Sequence, residues 1–478
     1  MIGNKCEIKL ENRFGIYLAQ ATKKGLQSVK RHFLDAVLNA FSQAKIKTGK
    51  ENLCPYHYPC QEEEAVEEAY AVIDLKSFYA SCECAARGLD IFSTPLAVAD
   101  PTRSANSIVM SVTPYLKKKY GASNVCRVRD LPNDENLIFA KPRMAYYLEM
   151  SAKVVSIFSD FLDEEDIHVY SVDESFLHLT PYLSLYSKTP EELCLAIQRR
   201  IKEELGLVAT CGIGPNMFLA KICLDNEGKK KPPFMARWGY EDVKTKLWSI
   251  SPITEIWGIS NGIASHLYRI GIRSLKELAL ADEFLLKREF GVMGAQLHDL
   301  SNGIDRSDIR EEYVPKNRNL SIGQTLMRDY DGKGARLVLR EMVDDLSHRL
   351  RAAGCETTLV SCYVGYSDCT GFSRQCSLSI HSDDPDALYD AVIAIFDKHN
   401  VNKPILHLGV SFGKIKPYAF RQNTIFLSDE EAEKKRQLNI ALDAINARYG
   451  KDACLRASSL TADSTIRQRH KQIGGHRA

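Results

Sequence analysis

Apolar and polar positions sort the chain into segments of different period. From 16 to 46, Leu26, Phe33, Leu34, Val37, Leu38 and Phe41 recur at three- and four-residue spacing, which predicts a helix. The run Ala69-Tyr-Ala-Val-Ile-Asp74-Leu75 is short and continuously apolar, with an acid near its end. It predicts a buried strand with a carboxylate at its C-terminal end. A helix follows over 77–87, then strands over 95–100 and 107–112, then an amphipathic helix over 144–160. Residues 168–179 alternate like a strand pair, interrupted at the centre by Asp173 and Glu174, which are poor strand residues. The pattern then gives a helix over 190–205, a strand over 208–213 and a turn into a helix that carries Lys221 on its first turns.

The stretch Leu224-Asp-Asn-Glu-Gly-Lys-Lys-Lys-Pro-Pro233 is polar and ends in prolines, so it predicts a domain boundary. Residues 241–300 read as helical throughout. Beyond 317 the order is strand 319–328, helix 333–353, strands 357–366 and 373–381, helix 384–399 and strand 405–412. That β-α-β-β-α-β order is a compact α+β unit. A charged helix over 429–448 and a polar, basic end close the chain.

Composition narrows the class without naming it. The chain has 478 residues, 45% hydrophobic and 26% charged, which are globular proportions and room for about three domains. No apolar run approaches the ~20 residues of a membrane span, and the N-terminus lacks the apolar core of a secretory signal, so a cytoplasmic protein is expected. The 14 cysteines are scattered and read as reduced, buried hydrophobes. Cys54, His57 and Cys60 make three candidate zinc ligands without a fourth, and a Pro-bounded loop is the simpler reading. The net charge of +2 conceals a segregation: 1–50 carries ten Lys/Arg against three Asp/Glu, 51–70 carries six Glu, and 414–478 carries thirteen basic against seven acidic residues. The middle is slightly acidic, so any anion-binding surface must be local.

Three acids stand out as chemistry. If the strand ending in Asp74 neighbours the strand pair holding Asp173 and Glu174, their carboxylates converge. Unpaired carboxylates at one place repel, and divalent cations with a preference for hard oxygen relieve that repulsion. Two such ions ~4 Å apart hold the attacking and leaving oxygens of a phosphoryl transfer. The plain alternative is three unrelated surface acids.

These acids sit in recognisable surroundings. Asp74-Leu-Lys-Ser-Phe78-Tyr79-Ala-Ser-Cys-Glu83 resembles the opening motif of the Y-family DNA polymerases. Tyr170-Ser-Val-Asp173-Glu174-Ser-Phe resembles their second acidic motif, and Gly212-Ile-Gly-Pro-Asn216-Met-Phe-Leu-Ala-Lys221 their third. Order and spacing agree over roughly 70–415, and the long tailed form is most similar to the UmuC-like branch of Gram-positive bacteria and their mobile elements. The resemblance implies that Asp74 and Asp173 ligate two Mg²⁺ ions, with Glu174 on the catalytic one and the Leu75 carbonyl on the nucleotide-side one. It implies that Phe78 and Tyr79 line the nucleotide, Tyr79 as the ring that rejects a 2′-OH. Tyr115, Lys118 and Lys221 would hold the triphosphate; Lys118 stands where many members have Arg, and Met217 where Lys is frequent.

Farther on, Ile256-Trp-Gly258-Ile259-Ser-Asn-Gly262 resembles a helix-hairpin-helix, which binds DNA phosphate through backbone N–H groups, although Ser260 stands where Gly is common. Arg318, Ser321 and Arg328 fall on the first strand of the terminal α+β unit, which resembles a template-gripping little finger. Gln422-Asn-Thr-Ile425-Phe426-Leu resembles the pentapeptide that docks on the bacterial sliding clamp. Arg456-Ala-Ser-Ser-Leu and Ile473-Gly-Gly-His476 also resemble ends found in this branch, without a role that the sequence supplies.

The expected fold is α+β: a right-hand polymerase with a ferredoxin-like palm (66–78 and 141–223), small fingers (79–140), a helical thumb (224–312), a little finger (316–414) and a tail (415–478). Residues 1–65 are an extension of unknown role. The expected function is low-fidelity translesion synthesis in DNA repair and SOS mutagenesis, by a monomer acting on primer-template DNA and dNTP with the sliding clamp. Three rivals remain: a nucleotidyl cyclase, for which no GGDEF-type loop exists; a metallophosphatase, for which the His/Asp clusters are missing; and a catalytically inert DNA- or clamp-binding factor that blocks lesions.

Overall fold

The computed structural model describes residues 67–102, 107–124, 126–311, 314–315, 318–418 and 429–477. The helix read over 16–46, the Cys54/His57/Cys60 run and the clamp-like Gln422, Ile425 and Phe426 lie outside the described residues. The chain divides between 312 and 313 into two compact units.

The first unit is built on β1 (Tyr70–Leu75). Its Ala71, Val72 and Ile73 are at most 1% exposed, so the strand is central and apolar on both faces. It leads directly into α1 (Phe78–Ala85). A small sheet follows: β2 (Leu96–Val98), β3 (Ser111–Val112), then helix α2 (Pro114–Tyr120) and β4 (Ile138–Ala140), in the order β3-β2-β4. The strand read over 107–112 breaks at Met110, whose N–H donates to Val98 O at 2.9 Å. Its first half, Ile108–Val109, pairs instead with Cys126–Arg127.

The chain returns through α3 (Met144–Ser159) to β5 (Ile167–Val169), β6 (Glu174–His178), α4 (Pro190–Leu205), β7 (Ala209–Gly214) and α5 (Met217–Cys223). A capping box at Thr189 and Glu192 starts α4, and Gly206 at φ 69° ends it. The main sheet runs β8-β7-β1-β6-β5, where β8 is Met235–Arg237. The break read at 224–233 therefore does not end the sheet. Leu224–Gly228 continues α5 as a wider π-helical turn, and β8 then pairs parallel to β7. Packing explains this continuity. Helix α5 turns Ala220 toward Val72 and Phe176 of the sheet. It turns Phe218, Leu219 and Ile222 toward a second core with Trp238, Leu247 and Leu267. That core is made by short helices, including α6 (Asn261–Arg269), α7 (Leu275–Ala279), α8 (Glu283–Phe290) and α9 (Val292–Ser301).

Gly212 makes the close approach of α5 possible. A Cβ there would stand 2.3 Å from Ala220 O and 2.4 Å from Leu224 N, both backbone atoms. Gly212→Ala is expected to cost about 3 kcal/mol, the upper end of overpacking in a tight core. A thermal melt checks it, and a melt unchanged from the wild type would contradict it.

The second unit has β9 (Leu320–Tyr330), α10 (Gly332–Ala352), β10 (Cys355–Tyr366), β11 (Gly371–Ser382), α11 (Pro385–His399) and β12 (Ile405–Gly413). Its antiparallel sheet runs β9-β12-β10-β11, the β-α-β-β-α-β order read from the sequence. Leu339, Met342, Val343 and Leu346 of α10 pack with Val392 and Phe396 of α11 over Val360, Cys362 and Val410.

The C-terminal segment docks on this unit through α12 (Asp429–Tyr449) and α13 (Ile466–His470). Arg456 Nε lies 2.8 Å from Asp344 Oδ2, and Arg469 Nε lies 2.9 Å from Asp345 Oδ2, both acids on α10. His470 sits between Asp345, at 3.1 Å, and Asp452, at 2.6 Å. The basic end is thus matched chiefly to acids of α10, with Asp386 of α11 and Asp452 of the segment itself beside them. Burial works against a charged His470, but the two carboxylates outweigh it and hold its pKa above the ordinary 6.5. A raised folded-state pKa gives stability that is fully present below the unfolded value and lost as pH rises through the folded one. Docking of α13 is therefore expected to loosen from pH 6.5 upward. Rate-corrected hydrogen exchange of 457–477 checks this, and protection independent of pH above 6.5 would contradict it.

Candidate active site

Strand register brings the three acids together. Asp74 faces Glu174 across β1 and β6, and faces Thr210 across β1 and β7. Leu75 N–H donates to Asp173 O at 2.8 Å, so Asp173 lies just beyond the end of β6, beside the end of β1. Poor strand residues are tolerated there because Asp173 is off the strand. It accepts from Ser171 Oγ at 2.7 Å, while Glu174 is the first residue of β6.

Lysines meet two of these carboxylates. Lys229 Nζ lies 3.0 Å from Asp74 Oδ2 and 2.9 Å from Asp225 Oδ1. Lys221 Nζ lies 2.7 Å from Glu174 Oε1 and 3.1 Å from Asp225 Oδ2. The result is an alternating chain, Asp74–Lys229–Asp225–Lys221–Glu174. Burial pushes the Asp74 carboxyl above its ordinary range, and Lys229 opposes that without cancelling it. Burial likewise raises Glu174 against Lys221. Lys229 moves up: burial would lower it, but Asp74 and Asp225 outweigh burial.

A cleft of about 340 Å³ opens over this floor. Asp74, Leu75 and Asp173 line it, with Phe78 and Tyr79 from the start of α1 and a wall of Lys76, Lys117 and Lys229. Burial holds Lys76 and Lys117 below the ordinary lysine value; the Lys229 charge pushes both the same way, and the Lys76 charge lowers Lys117 further. Ser77, at φ 48°, occupies the left-handed region that few non-glycine residues adopt, and it turns the chain from β1 into α1. Its Oγ is buried with no hydrogen-bond partner among the described residues. A basic wall and an unmatched hydroxyl suit an anionic, oxygen-rich ligand. The Tyr79 ring packs on Tyr147 at 4.9 Å, and its hydroxyl is pushed up to about 12 by burial and the Asp173 charge. Tyr147 is held in turn: its hydroxyl donates to Glu83 Oε1 at 2.8 Å, and Arg143 Nε donates to the same oxygen at 2.8 Å.

Other expected contacts are placed differently. Tyr115 and Lys118 both lie on α2, but the cleft wall takes Lys117; Lys118 is exposed and Lys119 stacks on Tyr115 at 5.2 Å. Lys221 is in the second and last turn of α5 and is buried behind Glu174 rather than on the cleft wall. Gly258 is exposed at φ 94°, Ile259 is buried, and Gly262 sits in the first turn of α6, so the hairpin leads straight into a helix N-terminus. Trp257 beside it packs edge-on against Tyr170 at 6.0 Å, near the acids. In the second unit, Arg318 and Ser321 are exposed. Arg328 is ion-paired with Asp463 of the C-terminal segment and stacks on Tyr330 at 4.6 Å.

Sequence reasoning missed Lys76, Lys117, Lys229 and Asp225. Lys229 and Asp225 fall in the stretch read as a polar linker. Lys117 is one of three consecutive lysines, and nothing in the run says which one faces inward.

Three carboxylates and a nearby carbonyl suit a hard divalent cation by donor type. Their present arrangement does not: among the described residues no group of three or more His, Cys, Asp or Glu side chains is set to hold a metal ion. The lysines hold Asp74 and Glu174 instead.

Comparison with known proteins agrees with this layout. Residues 73–225 match the impB/mucB/samB family, and residues 317–425 match the C-terminal domain of that family. The UvrX protein of Bacillus subtilis (strain 168) is 34% identical over 410 residues, covering 85% of this chain and 97% of that relative. DNA polymerase IV 2 of the same organism is 32% identical over 416 residues, covering 86% of this chain and 99% of its own. A Y-family DNA polymerase chimera shares the fold at a TM-score of 0.58 and 19% identity, covering 73% of this chain and all of that one. The chain belongs to the impB/mucB/samB family, the UmuC-like Y-family DNA polymerases.

Proposed function

We propose that the protein is a template-directed DNA polymerase of low fidelity that carries out translesion synthesis. The observation that carries this is the register of Asp74 opposite the buried Glu174, with Asp173 beside Leu75, where Asp74 and Asp173 line a lysine-walled cleft. Asp74, Asp173, Glu174 and the Leu75 carbonyl would hold two Mg²⁺ ions, which supply charge neutralisation at the α-phosphate. The chain's own residues position the reactants. The primer 3′-OH attacks the α-phosphate, the bond to the bridging oxygen breaks, and pyrophosphate leaves. Lys76 and Lys117 attract the triphosphate, and Tyr79, backed by Tyr147, lies where a sugar ring would pack. Binding and orientation of this kind remove much of a phosphoryl-transfer barrier.

The main sheet serves as palm and carries β8 as well as the strands expected from the sequence. Residues 79–140 serve as small fingers, 241–312 as the thumb and 318–413 as the little finger. Small fingers leave the nascent pair loosely enclosed, which favours damaged templates over accuracy. DNA backbone is held by the hairpin around Gly258 and by Arg318 and Ser321. The segment around Gln422, Ile425 and Phe426 tethers the enzyme to the sliding clamp, which offsets low processivity.

Primer extension by the purified protein with Mg²⁺ and dNTPs, on undamaged and abasic templates, tests the reading. Extension on both supports it. DNA binding without any extension, clamp included, leaves a DNA- or clamp-binding factor.

A further inference from the structure

Lys229 is built into the site in a way that the proposed chemistry does not use. Its backbone is fixed. Gly228 before it has no room for a side chain, since a Cβ would stand 2.3 Å from Cys211 O of β7. The Lys229 carbonyl accepts from Lys76 Nζ at 2.9 Å, and its N–H donates to Leu224 O at 3.1 Å. The five-residue π-helical turn that places it is an irregularity of the kind that clusters at functional sites. From this anchor the side chain runs along the cleft wall and sets its ammonium on Asp74.

That position conflicts with a metal role for Asp74. A largely buried carboxylate is costly to keep ionised without a partner, so a cation beside it stabilises the charged form. Lys229 is that cation, and its charge excludes a second one.

We propose that Lys229 is an exchangeable counter-ion of Asp74: it holds the carboxylate while the site lacks a divalent ion and withdraws toward the polyphosphate when one is bound. The inference rests on Asp74 being a metal ligand. It carries two consequences. The protein alone has a weakened affinity for divalent cations, because each must displace the ammonium. The released ammonium joins Lys76 and Lys117, so the nucleotide gains a third lysine only after the displacement. The exchange thus favours binding of metal and nucleotide together, with a coupling of the usual size, about tenfold.

Two measurements test this without relying on activity. Mn²⁺ titration of the nucleotide-free protein, followed by electron paramagnetic resonance of the free ion, compares wild type with Lys229→Met, Lys229→Arg and Asp74→Asn. Lys229→Met is expected to bind Mn²⁺ about tenfold more tightly and Lys229→Arg to stay near wild type. Unchanged or weaker binding in Lys229→Met, with Asp74→Asn clearly weakened, overturns the exchange. If Asp74→Asn leaves Mn²⁺ binding untouched, the metal reading of Asp74 is what fails. The second measurement needs no variant and covers loss of folding in Lys229→Met. Amine acylation of the wild type, mapped by mass spectrometry, is expected to label Lys229 faster when Mg²⁺ is added. Labelling of Lys229 that ignores saturating Mg²⁺ overturns the proposal.

Discussion

Asp173→Asn and Glu174→Gln should each lower single-nucleotide incorporation by about 10³-fold or more while leaving the fold intact. A carboxylate that holds a catalytic cation contributes several kcal/mol of transition-state charge stabilisation, and about 4 kcal/mol is 10³ in rate. Both substitutions keep shape and remove charge. Asp173 is half-buried and bonded to Ser171, which an amide can still satisfy through its oxygen. Glu174→Gln leaves Lys221 a charged partner in Asp225, 3.1 Å away, so the buried ammonium is not orphaned. Melting temperatures within a few degrees of wild type would separate lost chemistry from lost structure. Incorporation within about tenfold of wild type in either variant, with the fold intact, would remove that carboxylate from the catalytic set.

The asymmetry between what the sequence discloses and what it hides has physical causes. Continuous apolar runs made β1 and β7 visible, and the Asp at the end of one run marked the floor of the cleft. Asp173 and Glu174 were conspicuous because two acids in an alternating segment break a rule, and a broken local rule points to function. The second unit was readable almost to the residue because its helices alternate with long strands of clear period.

The lysines were hidden for the opposite reason. Charge at 229–231 obeys the rule for a solvated break, and only the pairing of β8 with β7 shows that the chain comes back to the sheet beyond it. The choice of Lys117 over Lys118 depends on the rotation of α2, which is set by one buried residue, Leu116, and by the sheet beneath it. The helix over 429–448 is legible, but its docking and that of the segment after it are not, because Lys435 and Arg436 pair with Asp384 and Asp383, and Arg456 and Arg469 with Asp344 and Asp345 of α10, between about fifty and more than a hundred residues away. The sequence places Arg328 on the strand expected to grip DNA and offers no sign of the Asp463 that pairs with it.

Glu83→Ala should destabilise the first unit by about 3 kcal/mol. The Glu83 side chain is fully buried, yet it gathers Arg143 at 2.8 and 3.0 Å, the Tyr147 hydroxyl at 2.8 Å and Arg87. Removing one partner of a buried ion pair costs about 3–5 kcal/mol when the other charge is left buried and uncompensated, and the lower end applies here because Arg143 and Arg87 are 46% and 38% exposed. For a unit of this size each kcal/mol shifts the melting point by about 2–4 °C, so a drop near 10 °C is expected. Glu83→Gln keeps the shape and one acceptor and should lose about half as much. The effect also has a pH signature. Burial alone would raise the Glu83 carboxyl, but hydrogen bonds from Arg143, Arg87 and Tyr147 outweigh it and hold the pKa below the ordinary 4.5. A depressed folded-state pKa gives stability that is present above 4.5 and lost as pH falls through the folded value. The gap between wild type and Glu83→Gln should therefore be constant near neutrality and shrink below pH 4.5. Melts at pH 7 and pH 4 decide it. A gap that is the same at both would mean that Glu83 acts through packing alone, and the ring pair of Tyr79 and Tyr147 would then owe its position to the apolar core instead.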